Sequence, residues 1–107
     1  MFTGNKILIL GFARSGYEAA KFLLKRGNTV YLTDMKEDHD KEQMKELEEL
    51  GIHFVLGSHP DDLLDNSFDY LIKNPGVPID HKYVLKAREL NIPVINEVEM
   101  AYKLLPD

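Results

Sequence analysis

Apolar positions along this chain follow two rhythms. Short, nearly continuous apolar runs are separated by longer stretches in which apolar residues recur every three or four positions. Lys6–Leu10 (KILIL) is the first run, and its continuity predicts a strand buried on both faces, hence parallel and central. Gly11 to Gly16 reads as a turn. Ser15–Arg26 predicts a helix with Gly16, Ala20, Leu23, Leu24 and Gly27 on one stripe, and Gly27 stands where a glycine ends a helix. Thr29–Thr33 (TVYLT), β-branched and aromatic, predicts the second strand, with Asp34 at its carboxyl end. Asp40–Leu50 predicts a charged helix that turns Met44, Leu47 and Leu50 inward and is closed by Gly51. His53–Leu56 is a third, short strand. Ser58-His59-Pro60-Asp61-Asp62 has the marks of a helix start: a cap, an early proline and acids in the first turn. Phe68–Ile72 predicts the fourth strand and Asn74-Pro75-Gly76 a turn. Asp80–Leu90 predicts a helix burying Tyr83, Val84, Ala87 and Leu90. Pro93–Ile95 is a fifth strand, and Glu97–Leu105 a final helix.

Strands alternating with helices imply a parallel sheet with right-handed crossovers. The expected fold is α/β: a Rossmann-like three-layer domain with a five-stranded parallel sheet in the order 3-2-1-4-5. Its switch point falls between strands 1 and 4, and ligands in such sheets bind outside the carboxyl ends of the strands there. At 107 residues the chain is expected to be one domain, burying roughly two-thirds of its unfolded surface. It ends abruptly after Leu104-Leu105-Pro106-Asp107, as at a domain boundary or a natural terminus.

Composition narrows the possible partners. No apolar run approaches the roughly 20 residues of a membrane span, and Ile7–Leu10 is too short for a signal peptide. The absence of cysteine excludes a disulfide scaffold and thiolate metal sites and fits a reducing compartment. A net charge of -5 with scattered Lys and Arg argues against nucleic acid. An anionic small ligand stays open, because N–H groups at a helix start hold phosphate without net positive charge.

The candidate chemistry lies in Gly11-Phe12-Ala13-Arg14-Ser15-Gly16, which follows a buried strand and opens a helix. Gly11 permits the tight turn, the helix start offers unpaired N–H groups to a diphosphate, and Gly16 lets helix and strand pack closely. Ala13 occupies the place of the middle glycine of the dinucleotide fingerprint, which argues against a deeply seated NAD or FAD. Arg14 and Ser15 add a guanidinium and a hydroxyl within phosphate reach. Tyr17 and Glu18 follow Gly16 where a P-loop would carry Lys and then Ser or Thr, so this turn does not hydrolyse ATP. The same turn also occurs in sheets that bind nothing.

Asp34 follows Gly16 at nearly the offset of a ribose-binding acid, though a solvated loop acid or a cap fits as well. Its strand-end place is expected to be wet, so that its substitution would leave folding little changed. Met35 and Lys36 could flank a base. Asn74-Pro75-Gly76 would form the other lip of the crevice, or a plain connecting turn. His39, His53, His59 and His81 share no ligand spacing and are expected at the surface. Glu97 and Glu99 suit a helix dipole. No nucleophile–base arrangement is apparent, so the chain reads as a binding module rather than a complete enzyme.

Five stretches together resemble the N-terminal domain of the Mur ligases, in their D-glutamate-adding branch. They are Lys6-Ile7-Leu8-Ile9-Leu10-Gly11-Phe12-Ala13-Arg14-Ser15-Gly16, Thr33-Asp34, Glu49-Leu50-Gly51-Ile52, Lys73-Asn74-Pro75-Gly76-Val77 and Ile92-Pro93-Val94-Ile95-Asn96-Glu97-Val98-Glu99. The resemblance covers essentially the whole chain. Two departures stand out: Ala13 replaces a common second glycine, and Asn74 stands where serine is common. The resemblance implies a cytoplasmic, monomeric enzyme of peptidoglycan synthesis with three domains, of which residues 1–107 form the first, UDP-substrate-binding one. It implies UDP contacts at Phe12, Ala13, Arg14, Ser15 and Gly16, at Asp34, Met35 and Lys36, and at Asn74, Pro75 and Gly76. Arg14, Ser15 and Gly16 would face the diphosphate, and Asp34, Met35 and Lys36 the uracil and ribose. The substrates implied are UDP-N-acetylmuramoyl-L-alanine and D-glutamate. ATP and Mg²⁺ would serve the absent central and C-terminal domains, with no cofactor, metal, membrane or nucleic acid at this one. Two other readings share the fold: a nicotinamide-binding domain of an oxidoreductase, and a nucleotide-sensing regulatory domain.

Overall fold

The computed structural model describes residues 4–12, 14–74 and 76–96, the side chains of Arg14 and Ser15 excepted. Along the chain these form β1 (Lys6–Leu10), α1 (Arg14–Lys25), β2 (Thr29–Asp34), α2 (Lys41–Glu49), β3 (His53–Leu56), β4 (Tyr70–Lys73), α3 (Lys82–Glu89) and β5 (Val94–Asn96). All four strand pairings are parallel, and the order is β3-β2-β1-β4-β5, as expected. The predicted helix over 97–105 lies outside the described residues.

The apolar run of β1 feeds both layers. Ile7 and Ile9 pack beneath α1 and α2 with Ala19, Ala20, Leu23 and Leu47. Leu8 and Leu10 face the opposite layer of Leu64, Phe68, Tyr83, Val84 and Ala87. Each fully buried leucine or isoleucine contributes about 1.5–3 kcal/mol through the area it removes from water.

All three helices among the described residues end the same way. A residue with left-handed φ follows the cap: Gly27 (82°), Gly51 (100°) and Asn91 (61°). The next N–H then reaches back, Asn28 to Leu23 O, Ile52 to Leu47 O and Ile92 to Ala87 O. This closure satisfies carbonyls that a helix end leaves bare. It also corrects the predicted faces of the first two helices. Leu50 is exposed because the reversal at Gly51 gives its inward place to Ile52, and Gly27 is exposed because it lies past the helix end. The predicted inner residues Tyr83, Val84 and Ala87 of α3 are buried.

The helix expected to start at Ser58–Asp62 does not form. After Gly57 the chain makes one turn, with Leu63 N–H donating to Pro60 O (3.2 Å), then drops Leu64 into the core. Its carbonyls are met from α3 instead of from a helix of its own. Lys82 Nζ donates to His59 O and to Asp61 (2.8 Å), Lys86 Nζ to Asp61 O, and the Tyr83 hydroxyl to Pro60 O. Burial pushes the Tyr83 phenol up to about 12, which keeps that hydroxyl a donor. β4 also begins later than expected. Phe68 is in the core, but Asp69 spends its N–H and carboxylate on the Lys6 backbone (2.7 and 2.8 Å) and pairing starts at Tyr70.

The histidines depart from the expected surface positions. His53 is exposed, but His59 and His81 are half-buried, with ring centroids 5.3 Å apart. His59 Nδ1 bonds with the buried Thr33 hydroxyl (2.8 Å), and His81 Nδ1 caps α3 by accepting from Tyr83 N–H. Burial, then neighbouring positive charge, holds both imidazoles below the ordinary 6.5.

Two outcomes follow from these contacts. A side chain at φ 61° is strained by about 1–2 kcal/mol unless it is glycine or bonds locally. Asn91→Ala should therefore lower unfolding free energy by about 1 kcal/mol in a urea titration, and Asn91→Gly should not. The second concerns acid. Because the folded pKa values of His59 and His81 are depressed, the unfolded chain binds protons first as pH falls below 6.5. Stability should thus be full well above that value and decline as pH falls through it, and His59→Gln with His81→Asn should flatten the decline.

Candidate functional site

The site forms at the carboxyl edge of the sheet, where β1 and β4 run side by side with Leu10 opposite Lys73. The turns after these strands, from Gly11 and from Asn74, are therefore neighbours. The topology changes direction here, and loops leave a gap that ligands of such sheets occupy. Gly11 enters the turn at φ 108° while its N–H donates to Thr33 O (2.9 Å), so it both extends the β1–β2 ladder and breaks from it. That conformation is what requires glycine.

Phe12 and Gly16 are both buried. The Phe12 ring turns inward, 5.7 Å from Phe54 and 4.6 Å from the His39 ring, so the backbone of Phe12, not its ring, borders the edge. α1 starts at Arg14, and its first turn carries no acidic residue. The other two helices start on side-chain caps: Asp40 accepts from Glu42 and Gln43 N–H, and His81 from Tyr83 N–H. The residue before α1 is Ala13, whose methyl has no acceptor to offer. The first-turn N–H groups of a helix so begun favour an anion. Ala13 and Pro75, both sequence candidates, lie outside the described residues.

Asp34 stands at the end of β2, and its carboxylate bridges two loops. Oδ2 accepts the N–H of Phe12 (2.7 Å), and Oδ1 accepts that of Lys36 (2.8 Å). With a side chain 22% exposed, it keeps some access to solvent while holding two backbone donors, a structural task that the sequence expectation left out. Met35 is 60% exposed and Lys36 is exposed beside it, so both are presented to solvent at the rim. On the opposite lip Asn74 is half-buried. Its Oδ1 accepts Gly76 N–H (2.9 Å) and its carbonyl accepts Val77 N–H (2.9 Å), a tight turn that brings exposed Gly76 to the edge.

His39 was missed as a site neighbour by the sequence reading. Its side chain is only 8% exposed, packed on Phe12, with Nε2 donating to Lys36 O (2.7 Å). No periodicity marks it, since it lies in an irregular loop and acts through one ring and one carbonyl. Among the described residues no group of three or more His, Cys, Asp or Glu is arranged to hold a metal ion, and no helix is long and apolar enough to cross a membrane.

This geometry has known counterparts. Residues 5–96 match the family model of the Mur ligase MurD-like N-terminal domain. The chain is 48% identical over 100 residues to the UDP-N-acetylmuramoylalanine–D-glutamate ligase of Enterococcus hirae and 41% identical over 100 residues to that of Geobacillus sp. (strain WCH70). Each match covers 94% of this chain and 22% of the relative, so the chain spans about a fifth of their length. Among solved structures, UDP-N-acetylmuramate-alanine ligase MurC from Thermotoga maritima superposes with a TM-score of 0.70 at 26% identity, over 92% of this chain and 22% of that one. Shikimate dehydrogenase from Aquifex aeolicus shares the fold alone, with a TM-score of 0.55 at 16% identity over 94% of this chain and 45% of that one. With a Rossmann-like sheet in the order 3-2-1-4-5, a glycine turn at its switch point and relatives of this closeness, the chain belongs to the Mur ligase MurD-like N-terminal domain family.

Proposed function

We propose that this domain binds the UDP part of UDP-N-acetylmuramoyl-L-alanine for ATP-dependent addition of D-glutamate in cytoplasmic peptidoglycan synthesis. The observation that carries the reading is the acid-free first turn of α1 behind Gly11, at the edge where β1 and β4 run side by side and Asn74 begins the other lip. A diphosphate there gains the N–H groups and dipole of α1 together with Arg14 and Ser15. Asp34, Met35 and Lys36 border the ribose and uracil. Asp34 Oδ1 and Oδ2 each accept one backbone N–H and retain capacity for a ribose hydroxyl. The chemistry of amide formation, with ATP and Mg²⁺, belongs to regions of the full-length ligase beyond this domain, because the turn has Tyr17 where a P-loop has lysine. The domain acts as a monomer and by itself neither ligates nor hydrolyses ATP. The fold shared with a dehydrogenase keeps a nicotinamide reading available, and Ala13 in place of a glycine weighs against it.

Titrating the chain with UDP and recording amide NMR signals tests the reading. Shifts should concentrate at residues 11–16, 34–36 and 74–76, and NAD should produce none. Shifts confined to the amino-terminal ends of the strands would sink the proposal. Ser15→Ala should weaken UDP binding by about 1 kcal/mol, the worth of one hydroxyl contact, with little change in stability. Asp34→Ala should weaken binding by about 1–3 kcal/mol and also lower stability by about 1 kcal/mol, because the Phe12 N–H loses its partner. A denaturation midpoint equal to wild type would remove the bridging role of Asp34.

A further inference from the structure

We propose that His39 is a positioning residue that holds the loop from Asp34 to Asp40 in the shape presenting Asp34, Met35 and Lys36 to the nucleoside, a role that rests on the UDP reading above. In this loop Met35, Lys36, Glu37 and Asp38 are exposed, yet the His39 side chain is 8% exposed. Its imidazole does two things. The ring lies against Phe12 of the glycine turn, 4.6 Å between centroids and tilted by 42°. Nε2 donates to the carbonyl of Lys36 (2.7 Å) and sits 4.0 Å from Asp34 Oδ2, the oxygen that holds Phe12 N–H. The histidine therefore ties the middle of the loop to the same turn that Asp34 ties to its start.

The flanking contacts are met without it. The start of α2 is capped by Asp40, and the Phe12 ring already packs on Phe54 at 5.7 Å. On its far side the loop abuts β3: Gly57 N–H donates to Asp34 O (2.8 Å), and a Cβ at Gly57 would lie 2.6 Å from Glu37 Oε1. With one wall formed by Gly57 and the other by Phe12, the Lys36 carbonyl is the loop group whose direction His39 sets. That direction fixes where the Lys36 side chain and the adjoining Met35 leave the backbone. Because Phe12 belongs to the diphosphate turn, His39 also keeps the nucleoside loop at a fixed distance from it.

The experiment compares the wild-type chain with His39→Ala and His39→Gln, each titrated by NMR with UDP and with inorganic pyrophosphate, and each melted to monitor folding. In the wild type UDP should shift the amides of 34–36. His39→Ala should weaken UDP about tenfold, the loss of a hydrogen bond and a ring contact that order the loop, and leave pyrophosphate affinity unchanged. His39→Gln, whose amide can donate to the Lys36 carbonyl, should recover most of the UDP affinity. Wild-type amides of 34–36 that stay unmoved by UDP overturn the nucleotide reading and this role together. Shifted wild-type amides with unchanged UDP affinity in His39→Ala overturn this role alone. So do parallel losses of UDP and pyrophosphate, or a His39→Gln that folds and recovers nothing.

Discussion

Asp34 joins three loops at the carboxyl edge of the sheet. Its carboxylate holds the N–H groups of Phe12 after β1 and Lys36 after β2, and its carbonyl accepts Gly57 N–H after β3. Charge-assisted bonds to backbone donors are stronger than neutral ones, and here they fix main chain rather than side chain. The glycine turn can therefore present α1's first-turn N–H groups at a set place relative to β2. Without that bridge, the left-handed break at Gly11 would leave a short turn free to choose among several paths. A residue that spacing marks only as a ligand candidate thus builds the turn, through one backbone N–H on each carboxylate oxygen.

Strands and their order were legible from the chain because β1 announces itself: four consecutive apolar residues, Ile7 to Leu10, buried on both faces, allow only a central place. The glycines that end α1 and α2 were legible too, since their backbone requirement is local. What failed was long-range. The predicted helix after Ser58 had every local mark of a start, but Lys82 and Lys86, more than twenty residues later, satisfy its carbonyls and hold it as a single turn. Leu50 was assigned inward by periodicity, which cannot see that the reversal at Gly51 brings Ile52 into the same place.

The site divides in the same manner. Gly11, Gly16 and Asp34 could be marked from spacing, because each answers a geometric demand of a strand–helix turn. The inward Phe12 ring and the partial burial of His39, His59 and His81 could not. Each depends on a partner in another element: His39 on Phe12, His59 on Thr33 and His81 on the ring of His59. An isolated histidine in a polar stretch has no signature of the pocket that will receive it.

The helix-less crossover between β3 and β4 has a consequence for how the molecule breathes. On the α1–α2 side the sheet is covered by two continuous helices whose amides bond within themselves. On the other side α3 shares the cover with a segment whose carbonyls depend on lysine side chains reaching from a neighbour. Local opening is cheapest where backbone polar groups rely on few, solvent-adjacent partners. The two faces of one sheet should therefore differ in their amide exchange, residues 58–67 opening through smaller excursions than the amides of β1.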